Sequence, residues 1–138
     1  MLHLSQDLRD EILDAASAAF PMECCGLIEG VCTKGTWHAL AVHKAKNLAE
    51  DSANHFLVDP QLHFELLRSL RGSERRIIGC FHSHPNGLSA PSSDDRATAI
   101  EPNFVWLIAF GEKADAFGLS AYVFDNAAGE FVSLNLCP

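Results

Sequence analysis

The run Ile77-Ile78-Gly79-Cys80-Phe81-His82-Ser83-His84-Pro85 constrains this chain more than any other segment, because it reads as an apolar strand that ends in two histidines. Side chains alternate along a strand, so a spacing of two puts both imidazoles on one face. Their Cα atoms would lie about 6.6 Å apart, close enough for both rings to converge on one ion at about 2.0–2.1 Å each. Pro85 has no N–H for a ladder and stops the strand. The pair is therefore predicted at the end of a sheet, where a site can open to solvent.

The flanking pattern gives that strand its setting. Ser5 followed by Leu8, Ile12, Ala15, Ala16 and Ala19 reads as an N-capped amphipathic helix ended by Phe20-Pro21. The apolar run 24–28 and its neighbour 37–42 read as a hairpin across a Lys34-Gly35 turn. Residues 47–54 are polar and aperiodic and predict a loop, followed by a short strand at Phe56-Leu57-Val58 and a helix opening at Asp59-Pro60. Leu62, Leu66, Leu67 and Leu70 fall at helical spacing, and Gly72 closes that helix. After the motif strand come a Pro/Gly/Ser loop, a short helix from Ser92, and strands at 104–110, 119–124 and 131–134. This order predicts one α/β domain over residues 1–138, a mixed β-sheet flanked by helices, with no repeat or interdomain linker.

Composition excludes several classes. The 138 residues are 48% hydrophobic and 20% charged, an ordinary globular balance. A chain of this length buries about two-thirds of its unfolded surface, so a metal is not needed merely to fold it. With 18 acidic against 10 basic residues the formal charge is -8, which argues against a nucleic-acid-binding surface, since phosphates call for clustered Lys and Arg. Cys24, Cys25, Cys32, Cys80 and Cys137 leave one thiol unpaired and show no C-x-x-C spacing. Neither a disulfide framework nor a four-cysteine zinc site is expected, and a reducing cytoplasm is. The first residues lack an export signal, and no apolar run approaches the ~18 residues of a membrane span. The expectation is a soluble cytoplasmic protein with no membrane partner.

Two imidazoles alone make a weak site, and a catalytic zinc usually takes three protein ligands and a water. Ser92-Ser93-Asp94-Asp95 supplies candidates, because loop 85–91 can return the chain to the strand end and a helix starting there would hold an aspartate in its first turn. Spacing alone leaves Asp94 and Asp95 both open. Ser92 with Asp95 three residues on also reads as a helix cap, a meaning that needs no metal. His3, His38, His43, His55 and His63 lack partners at ligand spacing and read as surface or structural residues. His63-Phe64-Glu65 imitates the H-x-E of zinc deaminases, but no P-C-x-x-C follows, and no H-E-x-x-H occurs. Cys25 and Cys80 sit in apolar strand patterns and read as small buried hydrophobes.

Taken together, His82-Ser83-His84, seven residues, Ser92, two residues and Asp95 resemble the H-x-H-x7-S-x2-D signature of the JAMM/MPN+ metalloproteases. Glu23-Cys24-Cys25-Gly26 is similar to that family's upstream E-x-C-G, and the order of elements follows the family over nearly the whole chain. The resemblance implies an MPN/JAMM fold of cytidine-deaminase-like architecture, and one Zn2+ per chain held by His82, His84 and Asp95. It also implies Glu23 as the base that activates a water and Ser92 as a donor to the oxyanion. The implied activity is hydrolysis of a peptide or isopeptide bond at the C-terminal tail of a ubiquitin-like or sulfur-carrier protein, with the tail adding to a sheet edge beside the metal. The chain is more similar to compact prokaryotic members than to eukaryotic deubiquitinases with extra loops. Two other readings share the fold: a scaffold that organises partners without catalysis, and a zinc amidase acting on a small or cell-wall peptide.

Overall fold

Ser5 starts the first helix as its pattern predicts. The hydroxyl accepts from the Leu8 N–H at 3.3 Å, and α1 (Gln6–Ala19) follows with Ile12 and Ala16 fully buried. The structure, a computed structural model, describes residues 1–99, 101 and 103–138. β2 (Cys25–Thr33) and β3 (Thr36–Ala45) form a hairpin. Lys34 and Gly35 between them take φ of 52° and 78°, the doubly left-handed turn that matches strand twist.

β4 (Arg76–His84) is central, antiparallel to β2 and parallel to β5 (Val105–Phe110). β6 (Gly118–Asp125) and β7 (Glu130–Leu134) extend the sheet beyond β5. On the other side β1 (Leu2–His3) joins β3, and β8 (Leu136–Cys137) joins β1, both in parallel. Among the described residues this makes one mixed sheet of eight strands, ordered β7-β6-β5-β4-β2-β3-β1-β8. The remaining helices are α2 (Pro60–Ser69), capped by Asp59, and α3 (Ser93–Thr98).

The alternation of β4 decides where the site lies. Phe81 enters the core beneath α1 with Ile12, Ile28 and Leu107, while Cys80 enters the opposite layer with Leu27, Trp106 and Leu66 of α2. His82 and His84 follow Cys80 at the strand period, so they emerge on the α2 side. A Cβ at Gly26 would collide with the Phe81 ring and the His43 carbonyl. The glycine lets β2 pass close against this stretch of β4.

The structure differs from the sequence expectations in four places. Residues 56–58 form no strand, and only a single bridge joins Asn47 to Val58. The physical reason is that the backbone around Phe56 bonds to the Asn47 side chain and turns the ring inward. β1 and β8 had no counterpart in the pattern, since two-residue strands carry no period. Leu67, at helical spacing in the sequence, is 55% exposed, and only Leu66 of α2 is fully inside. Finally, the sheet edges are β7 and β8, so the histidines of central β4 are not beside an edge that a tail could join.

Candidate metal centre

Loop 85–92 brings the chain back to the end of β4, where α3 is held by a reciprocal cap. Ser92 Oγ accepts from the Asp95 N–H at 3.0 Å, and Asp95 Oδ2 accepts from the Ser92 N–H at 2.9 Å. The capping reading is therefore correct, and the same cap aims Asp95 at the histidines. Its Oδ2 lies 3.1 Å from His82 Nε2 and 3.2 Å from His84 Nε2, and the two nitrogens are 3.0 Å apart. Asp94 turns away to His55 Nδ1 at 3.0 Å and is 65% exposed. That separates the two aspartates left open by spacing.

Ligand atoms about 2.0–2.1 Å from a tetrahedral ion stand about 3.3 Å from one another. The triangle of 3.0, 3.1 and 3.2 Å is close to one face of such a tetrahedron. His84 Nδ1 donates to the Leu88 carbonyl at 2.8 Å, so once Nε2 gives up the proton it offers to Asp95 its lone pair points into the triangle. Two imidazole nitrogens and a carboxylate oxygen converging in a buried site suit a cation, which would replace the protons they now share. Glu23, His82 and His84 each offer one ligating atom within 4.8 Å of the others, and all three residues are buried. This buried group could hold a metal ion, with Asp95 Oδ2 nearer to both nitrogens than that wider limit requires.

Charge and burial compete here. The Glu23 carboxyl is pushed up to about 8, mostly by burial, with His84 pulling it down and the carboxylates of Asp95, Asp94 and Asp51 adding to the rise. Burial raises Asp95 as well, but hydrogen bonds from His82 and His84 overcome it and hold that carboxyl well below the usual range. Desolvation lowers His82. For His84 desolvation acts in the same direction, yet the bonds to Asp95 and the Leu88 carbonyl outweigh it and the pKa is raised. Burial lifts the Cys25 thiol to about 12 and raises Cys24 and Cys80, which disfavours the thiolate, the nucleophilic form, at all three.

Glu23 precedes β2 and is held from several sides. Its N–H donates to the Ser52 carbonyl at 2.7 Å, and the next N–H, of Cys24, donates to Ser83 Oγ at 2.7 Å. Ser83 thus has a task that its position between the histidines did not reveal. Phe56 was also missed. Its ring stacks on His82 at 4.2 Å and 14°, while Trp106 meets His82 edge-on at 5.9 Å. His55 is exposed, as expected of a surface histidine, and also borders the cleft, a space of about 80 Å³ shared with Glu23, Phe56, Ser92, Asp94 and Asp95. A larger hollow of about 340 Å³ lies behind Glu23 against α1, but neither histidine lines it.

Fold and site together define an α/β domain with a buried group suited to a metal ion. Over residues 5–124 the chain matches the prokaryotic homologs of the JAB domain, and it belongs to that family. It is 32% identical over 111 residues to the desampylase of Haloferax volcanii, covering 78% of each chain. Among solved structures it is similar to a Desulfitobacterium hafniense protein, with TM-score 0.86, 24% identity, and coverage of 99% of this chain and 92% of that one. A Salinibacter ruber protein gives TM-score 0.73 and 24% identity, with coverage of 99% and 90%. At that identity the two structures speak for the fold alone. Among the described residues no helix is long and apolar enough to cross a membrane.

Proposed function

We propose that this chain is a zinc-dependent peptidase or isopeptidase, with residues 1–138 acting as one catalytic domain, that cleaves at the C-terminal tail of a ubiquitin-like or sulfur-carrier protein. The observation that carries the reading is the convergence of His82 Nε2, His84 Nε2 and Asp95 Oδ2 to within 3.0–3.2 Å, with the Glu23 carboxyl alongside. Kinship with a desampylase supports the substrate class. The five free cysteines suit a reducing cytoplasm.

Bound by His82, His84 and Asp95, zinc would supply Lewis acidity and lower the pKa of a water at its open position to about 7. Glu23 takes a proton from the attacking water and passes it to the leaving nitrogen as the C–N bond breaks. Ser92 Oγ is engaged by the Asp95 N–H, which leaves the hydroxyl proton free to donate to the carbonyl oxygen as it becomes tetrahedral. A substrate tail enters between segment 47–57 and α3, the walls of the cleft, rather than along a sheet edge.

The test is a cleavage panel of tail-extended ubiquitin-like proteins and short amide peptides, run beside metal analysis. Wild type should carry one zinc per chain, lose turnover to a chelator and regain it with zinc. Glu23→Gln should keep the zinc and lose at least about a hundredfold in kcat. Full activity in that variant would overturn the mechanism. Stoichiometric zinc with no cleavage of any substrate would favour a scaffold.

A further inference from the structure

Asn47 lies outside every motif, yet its side chain uses its whole hydrogen-bonding capacity around the site. Nδ2 donates to the Glu23 carbonyl at 3.0 Å and to the His55 carbonyl at 2.9 Å. Oδ1 accepts from the Ala49 N–H and the Leu57 N–H, each at 3.0 Å. Those four bonds are all that a carboxamide can make. His55 and Leu57 flank Phe56, so one amide fixes the backbone on both sides of the ring stacked on His82.

His82 depends on that ring. Its Nδ1 is buried with no hydrogen-bond partner among the described residues, whereas His84 Nδ1 is anchored on the Leu88 carbonyl. A metal-binding imidazole is ordinarily oriented by a bond to its other nitrogen. Here flat contact with Phe56, backed by the edge of Trp106, takes that place. On the opposite side the same amide grips Glu23, which the β2 ladder does not reach.

We propose that Asn47 is a positioning residue for both halves of the site: through the Glu23 carbonyl it places the base, and through Phe56 it sets the plane of the His82 ring. The inference rests on the zinc-hydrolase reading. Neither Asn47 nor Phe56 touches the reacting atoms, so the effect must appear in metal affinity and in kcat, whatever a shift of the 47–57 cleft wall does to KM.

The experiment measures zinc affinity by chelator competition, kcat, KM and melting temperature for wild type, Asn47→Ala, Phe56→Leu, the double variant and Phe56→Tyr. Asn47→Ala should bind zinc about tenfold more weakly, in line with the loss of an orienting contact behind a ligand. At saturating zinc it should also lose about tenfold in kcat, because the base is displaced. Phe56→Leu should weaken zinc binding alone, and Phe56→Tyr, which keeps the ring, should restore it. In the double variant the zinc losses should not add, since they share one path.

A folded Asn47→Ala with wild-type zinc affinity and kcat would overturn the inference, as would additive losses in the double variant. If Asn47→Ala does not fold, the Phe56→Leu and Phe56→Tyr pair decides, and equal zinc affinity in both overturns the link to His82. Wild type that takes up no zinc would overturn the proposed function and this inference together. Zinc uptake without any cleavage would sink the hydrolase reading and the half of the inference that places the base, while the affinity measurements still decide the half that sets the His82 ring.

Discussion

The Glu23 carboxyl sits buried beside other acids, and its pKa moves from 4.5 to about 8. Between those values the folded chain keeps a proton that the unfolded chain has released, so metal-free stability should fall as pH rises from about 4.5 to about 8. His82 acts with the opposite sign: burial lowers its pKa, so its contribution is lost as pH falls below 6.5. Glu23→Gln removes only the first slope. Urea midpoints of the metal-free proteins should therefore diverge with rising pH, the variant becoming relatively more stable, and zinc should shrink the difference by favouring the Glu23 carboxylate. Parallel curves for the two proteins would contradict this account. The residues of the site were unequally legible. His82 and His84 followed from strand period, while Asp95 and Glu23 came from a motif. Asn47, Phe56 and Ser83 left no signal, because each acts through contacts with residues distant in sequence.

At the scale of the element, α3 shows how one short helix can serve two purposes. Its cap bonds orient Asp95, and the capping hydroxyl is also the proposed oxyanion donor. Ser92→Gly tests the second purpose, since it keeps the backbone N–H that holds Asp95 Oδ2 and glycine in place of a capping serine costs only a few tenths of a kcal/mol. The variant should melt within a few degrees of wild type and yet lose about a hundredfold in kcat. Equal turnover in Ser92→Gly and wild type would leave Ser92 as a cap only. Helices α1 and α2 and strands β2 to β7 were legible, because each carries a period, a cap or a left-handed turn. Residues 56–58 were misread, since an apolar triplet looks alike whether it pairs in a sheet or is pinned by an amide such as that of Asn47.

In the molecule as a whole, the two ends of the described chain close one side of the sheet. The Leu2 N–H donates to the Asn135 carbonyl and the Leu4 N–H to the Cys137 carbonyl, both at 2.8 Å, and both leucines are fully buried. Deleting residues 135–138 should cost about 3 kcal/mol, the scale of uncovering one or two such side chains, measured by urea unfolding. Zinc affinity should be unchanged, as β3 and β2 stand between β1 and β4. His3 and Cys137 meet across 134 positions of sequence, and a contact that closes so long a loop forms late. In folding kinetics the deletion should leave the refolding limb in place and speed unfolding alone. Residues 23–95, which carry the whole proposed site, lie inside that loop, so the metal ligands can come together before the ends of the chain have met.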